Sequence, residues 1–351
     1  MYFKKLHVCF NVNNIFKILA FCYLSLPLVL GVPTSSFAAE HSHPDSNSEI
    51  PWFYAEQGIM GTVVSVKLQH PDKKIAQKIS QDIFALMWDI NNEMSNFEPD
   101  SLLSKINQHA HKHPLKITDR LFGIIKKSLY YSDVSHGAFD ITVGTIGKFY
   151  DYRKKQRPQE NLIRKNLKYI SYKNIKLDDK EKTIYLTNEH ASIDLGGIAK
   201  GYAISQALKI LQQNAIKNAY ITAGGDSYAL GSKNGRPWYI AIKNPRDGKN
   251  NIILPVSGVA ISTSGDYERF FIEDNIRYHH IINPATGHSA TKSVSVTVIG
   301  PSPEDTDALS TTLFVLGEKK GIELINTIDG YDAIYVYPDG KMSFSNGLKR
   351  E

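Results

Sequence analysis

Residues 191–203 read ASIDLGGIAKGYA and set a carboxylate (Asp194), a glycine pair and a lysine (Lys200) on one junction. Ser192 to Leu195 reads as the end of a short strand, and Ile204, Ala207, Leu208 and Leu211 then repeat at helical spacing. Gly196 and Gly197 allow close approach to the backbone, while the first helical turn offers free N–H groups and a positive end, with Lys200 in that turn. This is a site for something with phosphates, although a tight turn before an amphipathic helix has the same letters. A second pair lies near the C-terminus. Asp307 and Thr311 are four residues apart, which puts a carboxylate and a hydroxyl on one helix face. That pair plus a backbone carbonyl is a partial oxygen cage of the kind Mg²⁺ takes when phosphates and water complete its shell, and it is equally an ordinary polar face. His279 and His280 are adjacent, so on a strand they point to opposite faces and chelate one metal poorly. An imidazole entering the site can accept the proton of an attacking hydroxyl or can position a substrate, and both readings stay open. His109, His111 and His113 alternate in HAHKH, but no cysteine or acid completes a metal set and a solvated loop is expected.

These residues need elements to hold them. Ser302 to Leu316 has the marks of a helix: Ser302 as N-cap, Pro303 in the first position, Glu304 and Asp305 at the positive end, and Leu309, Leu313 and Leu316 for the core. Ala76 to Met94 carries apolar residues at helical spacing and Thr62 to Leu68 alternates as a strand. Further strand-like pieces are 183–186, 220–222, 238–242, 256–261 and 294–299. The fold class is therefore mixed α/β. Residues 151–172 are rich in Lys, Arg, Asn and Gln and read either as a domain boundary or as a solvated insertion.

The chain of 351 residues is long enough for a large core. Half of its net charge of +6 comes from Lys4, Lys5 and Lys17, in a stretch of 39 residues without an acid, so charge makes no case for nucleic acid. That stretch has the layout of a secretory signal peptide: two lysines, an apolar run from Ile15 to Val32 and a small-residue end, Ser36-Phe37-Ala38-Ala39. Ser25, Pro27, Gly31 and Pro33 interrupt the run, which favours cleavage over a retained anchor. Lipidation at Cys22 is the third possibility, and bulky Phe21 argues against it. Both cysteines, Cys9 and Cys22, lie in this stretch, so the body has none and needs no disulfide. Residues 40–50 read as a polar linker and 51–351 as the catalytic body.

Six separated motifs recur in order: MGT (Met60–Thr62), MSNF (Met94–Phe97), GAFDITVG (Gly137–Gly144), AGGD (Ala223–Asp226), YHHIINPATG (Tyr278–Gly287) and the segment Val294–Gly317. With the DLGG junction they make a chain that, from about residue 51 to near its end, resembles the ApbE family of FAD:protein FMN transferases. The resemblance implies one catalytic unit of two subdomains with the ApbE/T-fold-like architecture. It implies a metal held by Asp307, Thr311 and a main-chain oxygen of Gly197, with Mg²⁺ expected and Ca²⁺ left open. Flavin or adenosine contact falls by resemblance to Met60, Ser95, Ala138, Phe139, Asp140, Asp194, Lys200 and Ile282, with core packing the competing reading for Met60 and Phe139. The family's histidine directly precedes the Ile-Ile pair, which selects His280. Where relatives commonly carry an acid and an arginine after that pair, this chain has Asn283 and Ala285.

The implied reaction is phosphoryl transfer. A threonine hydroxyl of a partner protein attacks the riboflavin-side phosphorus of FAD, leaving AMP and FMN esterified to the partner. Asp307 acts through the metal, Lys200 adds positive charge, and His280 takes the proton. Implied partners are FAD and an exported or membrane-attached redox or ion-pumping electron-transport subunit bearing a flavinylation threonine, and the implied place is the periplasm, at or near the inner membrane. Two rivals share the site: an FAD pyrophosphatase giving FMN and AMP, and a flavin-binding protein without catalysis.

Overall fold

Period-two alternation of apolar residues builds the centre of the molecule. The computed structural model describes residues 50–349 apart from 243, 247–251 and 338, so the signal peptide reading for 1–39 and nearly all of the linker lie outside the described residues. Along the chain come β1 (Trp52–Ile59), β2 (Thr62–Gln69), α1 (Lys73–Met94), α2 (Leu102–His109), β3 (Leu115–Lys116), α3 (Asp119–Val134), α4 (Gly144–Gly147) and α5 (Glu160–Leu167). Then follow β4 (Ile175–Asp178), β5 (Thr183–Leu186), α6 (Ala199–Gln213), β6 (Ala219–Ala223), β7 (Asp226–Leu230), β8 (Trp238–Ile242), β9 (Ile252–Val256) and β10 (Val259–Gly265). The chain closes with β11 (Phe270–Glu273), β12 (Ile276–His279), β13 (Ser295–Gly300), α7 (Pro303–Leu316), α8 (Glu318–Ile325), β14 (Asp332–Val336) and β15 (Met342–Phe344). This is a mixed α/β chain.

Eight strands form one antiparallel sheet in the order β1-β2-β6-β7-β10-β13-β14-β15. Val64, Val66 and Leu68, Ile221, Val296 and Val298, and Ala333 and Tyr335 turn one face to the main core, where α1, α6 and α7 lie. Ala229, Ile261, Ile299 and Ile334 turn the other way and meet Trp238, Ile242, Leu254 and Val256 of the β8–β9 hairpin. A one-residue slip would exchange these faces, so both cores hold the register. A small sheet, β3-β5-β4, lies apart from the large one in pairing, and residues 50–351 make a single compact unit.

The helices start where their caps dictate. Asp72 accepts from the N–H groups of Lys74 and Ile75 at the head of α1, and Ser302 accepts from that of Asp305 at the head of α7. α7 carries Pro303 in its first turn, as the sequence predicts, but it is buried almost all round because β10, β13, α6 and α8 enclose it. Leu309 and Leu313 are in the core, whereas Leu316 is only partly covered.

Three expectations change. Ser192–Leu195 is no strand: it makes one bridge, Ser192 with Val143, and is held besides by Ile141 and by the side chains of Asn107 and Thr145. Residues 256–261 are two strands, because Gly258, at φ +68°, turns the chain between β9 and β10. Residues 151–172 are not a bare boundary or a fully solvated insertion, since they carry α5, whose Ile163 packs with Ile146, Tyr150 and Ile282.

α6 and α7 cross where Gly201 stands. A Cβ there would come 2.2 Å from the Pro303 carbonyl oxygen and 2.7 Å from Asp307 Cβ, so only glycine permits this approach. Gly201→Ala is expected to destabilise the protein by about 1–3 kcal/mol through overpacking. Urea unfolding of the variant beside the wild type measures it.

Candidate active site

Three motifs, MGT, AGGD and DLGG, meet at one end of the large sheet, at the β1–β2 turn, the β6–β7 turn, the end of β10 and the head of α6. Met60 and Gly61, at φ +55° and +69°, form the two-residue turn between the paired Ile59 and Thr62. Left-handed backbone is uncommon for methionine, and Met60 is half-buried there. Gly224, at φ +61°, makes the neighbouring β6–β7 turn and would strike Thr62 Oγ1 if it carried a Cβ.

At the centre are Asp307, Lys200 and Asp226. Asp307 Oδ2 accepts from the N–H of Gly201 at 2.8 Å, so a carboxylate from α7 caps the positive end of α6. Lys200 Nζ lies 3.4 Å and 3.5 Å from the Asp307 oxygens and 3.0 Å from Asp226 Oδ2. That last contact is an ion pair without hydrogen-bond alignment, and Asp226 Oδ2 is otherwise an orphaned buried oxygen. Both carboxylates are 2% exposed. Burial, then the Asp226 charge, raise the pKa of Asp307 against the pull of Lys200 and the Gly201 N–H. Burial works against the Lys200 ammonium, but Asp226 and Asp307 outweigh it and hold its pKa above the usual lysine value.

Thr311 and Gly197 complete the group. A Cβ on Gly197 would lie 3.3 Å from Thr311 Oγ1 and 3.2 Å from the Phe139 ring, so this glycine backbone rests directly on the threonine. Beneath them runs a hydroxyl ladder. Ser264 Oγ lies 2.9 Å from Ser310 Oγ and 3.3 Å from Thr311 Oγ1, and Ser262 Oγ lies 2.9 Å from Thr306 Oγ1. Alternate residues of β10 thus fix one face of α7. Among the described residues no three His, Cys, Asp or Glu side chains gather as a metal set. A cation here would rest on one or two carboxylates, a hydroxyl and backbone oxygen, hard donors that suit Mg²⁺.

The two histidines divide. His279 is 2% exposed, its Nε2 donates to the Ala290 carbonyl at 2.7 Å, and its ring meets Phe314 edge-on, so it is a core residue. His280 faces outward with an exposed side chain. Crowding by protein, then Arg269, His279 and Lys200, lower its pKa, and solvent at the exposed ring softens the first of these. The ring is neutral at neutral pH. Arg269 ties it to the β1–β2 turn: its carbonyl accepts from the His280 N–H, and its Nη2 donates to the Gly61 carbonyl at 3.3 Å.

The other expected residues sit around this centre. Asp194 Oδ1 accepts from the Gly196 N–H and shapes the glycine turn. Ser95 closes α1 and accepts from the Phe97 N–H, leaving the Phe97 ring 85% exposed. Phe139 is 3% exposed and packs edge-on to Tyr131, and Ala138 packs against the same core, so the ring of Phe139 is a core side chain lying behind Gly197. The Asp140 carboxylate is taken up by Thr142 and the Tyr172 N–H, and Ile282 is buried in the small cluster with Ile163. Asn283 closes its loop as an acid would, with Oδ1 accepting from the Ala285 N–H at 2.9 Å. In HAHKH, His109 ends α2 and is exposed, and the turn that follows carries half-buried His111 and exposed His113.

Sequence reasoning missed three members. Asp226 stands inside a motif already noted, and a carboxylate straight after a Gly-Gly turn was the available signal. Arg269 carried none. Asn107 binds both N–H and C=O of Ile193, 86 residues on, and donates to Asn96, so it joins the MSNF segment to the residue before DLGG.

The chain resembles proteins of known name in both sequence and fold. The sequence model of the ApbE family matches residues 60–335. A Treponema pallidum protein named FAD:protein FMN transferase is 29% identical over 83% of this chain and 86% of its own, and a Haemophilus influenzae protein of the same name is 32% identical over 76% and 81%. The flavin transferase ApbE from Vibrio cholerae superposes with TM-score 0.77 at 27% identity, over 85% of this chain and 98% of that one. The ApbE protein of Thermotoga maritima gives TM-score 0.77 at 34% identity, over 86% and 100%. A family match over most of the chain, with a fold shared over nearly the full length of these solved proteins, places the chain in the ApbE family.

Proposed function

We propose that this protein is an FAD:protein FMN transferase, moving the FMN moiety of FAD with Mg²⁺ to a threonine hydroxyl of an acceptor protein and releasing AMP. The observation that carries this reading is the buried Asp307 beside Lys200, Thr311 and Gly197 at the head of α6. The transferase activity follows from relatives of that name covering most of both chains.

Mg²⁺ held by Asp307, Thr311 and the Gly197 carbonyl would supply charge withdrawal from the pyrophosphate. The chain's own residues do the rest. Lys200 stands in the first turn of α6 and neutralises charge on the phosphates. His280 is neutral and open to an incoming hydroxyl, whose proton it accepts. Gly196 and Gly197 admit the phosphates to backbone. The acceptor is read as an exported electron-transport subunit, in keeping with the signal peptide expected at 1–39. No helix among the described residues is long and apolar enough to cross a membrane.

The test is incubation of residues 40–351 with FAD, Mg²⁺ and a carrier protein bearing a flavinylation threonine. An FMN-sized mass gain on that threonine with AMP release is expected. Asp307→Ala is expected to abolish it and His280→Ala to lower the rate by about 10²–10⁴-fold, the usual range for a general base. Free FMN and AMP with an unmodified carrier would overturn transfer in favour of hydrolysis.

A pH effect follows from the same carboxyl. Asp307 is pushed from 3.8 up to about 7 in the folded chain. Between those values the folded state holds a proton that the unfolded state has released, so stability falls as pH rises through the window. Urea unfolding of the metal-free protein is expected to record that fall, and Asp307→Asn to flatten it.

A further inference from the structure

Lys200 stands where a metal would contest its place. Its ammonium is within 3.5 Å of both Asp307 oxygens and 3.4 Å of the Gly196 carbonyl oxygen. Its shortest contact, 3.0 Å, is to Asp226, on an oxygen with no aligned hydrogen bond. Among the described residues, two buried carboxylates therefore share a single cation, an arrangement with room for further positive charge. A divalent cation on Asp307 would repel an ammonium at this range. The lysine stem is flexible and its side chain is 26% exposed, and Asp226 is the anion in contact that can receive it.

We propose that Lys200 is a built-in counter-cation which occupies Asp307 in the metal-free protein, and that Asp226 is the positioning residue which draws it aside when metal enters. The inference rests on the metal reading above. It explains why two bare carboxylates can be packed at the junction of α6 and α7 before any ligand arrives. It also gives a purpose to a buried acid that the transfer chemistry does not use.

The experiment is calorimetric titration with Mg²⁺, without FAD, of the wild type, Lys200→Met, Asp226→Asn, the double variant and Asp307→Asn, with thermal melts of each metal-free protein. Lys200→Met is expected to bind Mg²⁺ at least about tenfold more tightly. Its metal-free form is expected to melt lower than the wild type and to gain more from saturating Mg²⁺. Asp226→Asn is expected to bind more weakly, because the lysine is left on Asp307, and adding Lys200→Met is expected to recover the affinity. Lys200→Met binding no more tightly than the wild type would overturn the proposal. So would a double variant as weak as Asp226→Asn alone, which makes Asp226 a metal ligand instead. Should Lys200→Met fail to fold, Asp226→Asn against the double variant, which keeps only one of the two buried carboxylates, decides the matter. Mg²⁺ binding that is absent from the wild type, or unchanged in Asp307→Asn, would overturn the metal reading itself and this inference with it.

Discussion

The contact between α6 and α7 at Gly201 is the constraint on which the site depends. Because residue 201 has no side chain, the Pro303 carbonyl and Asp307 Cβ come close to it, and the Asp307 carboxylate reaches the Gly201 N–H at 2.8 Å. One carboxylate then does two things. It satisfies a free donor at the head of α6, and it lies buried within reach of Lys200. A helix crossing even slightly wider would lose both. The hydroxyl ladder from Ser262 and Ser264 to Thr306, Ser310 and Thr311 holds α7 in the register that this crossing needs.

The charges at this junction are unbalanced on purpose of chemistry rather than of stability. Burying two carboxylates against one ammonium costs free energy, and burial raises the Asp307 pKa accordingly. A fold selected for stability alone would place apolar groups between packed helices. The surrounding core is in contrast well satisfied, with Leu309, Leu313 and Phe314 of the same helix fully buried. Cost confined to one end of a helix whose remainder is tightly packed is the pattern of a binding site.

Neighbouring residues of one type take opposite tasks here because β12 ends between them, His279 being its last residue and His280 the first beyond it. His279 and His280 differ by one position, yet one is a hydrogen-bonded core residue and the other an exposed imidazole near Arg269 and Lys200. Asn283 shows the reverse economy: an amide oxygen closes the loop through the Ala285 N–H, a task that needs an acceptor and not a charge.

Much of this was legible in the residues. Period-two alternation marked 62–68 as a strand, 183–186 and 238–242 read as strand-like, Ser302-Pro303 marked the start of α7, and the i, i+4 spacing of Asp307 and Thr311 already put them on one face. These follow from local rules of backbone and capping, which a short window contains. What lies across the chain did not. The extended look of Ser192–Leu195 suggested a strand, but its partners are Ile141, Val143 and Asn107, none of them predictable from its own letters. Nor could spacing reveal that Asp140 is committed to Thr142 and Tyr172, or that the Phe139 ring is in the core. Asp226 and Lys200 are 26 residues apart in sequence and 3.0 Å apart in space, and Asp307 joins them from another helix. The sequence by itself determined which residue types are present and which short elements carry them; only tertiary packing decided which charges face one another, because distance through space and burial are set by the crossing of elements far apart in the chain.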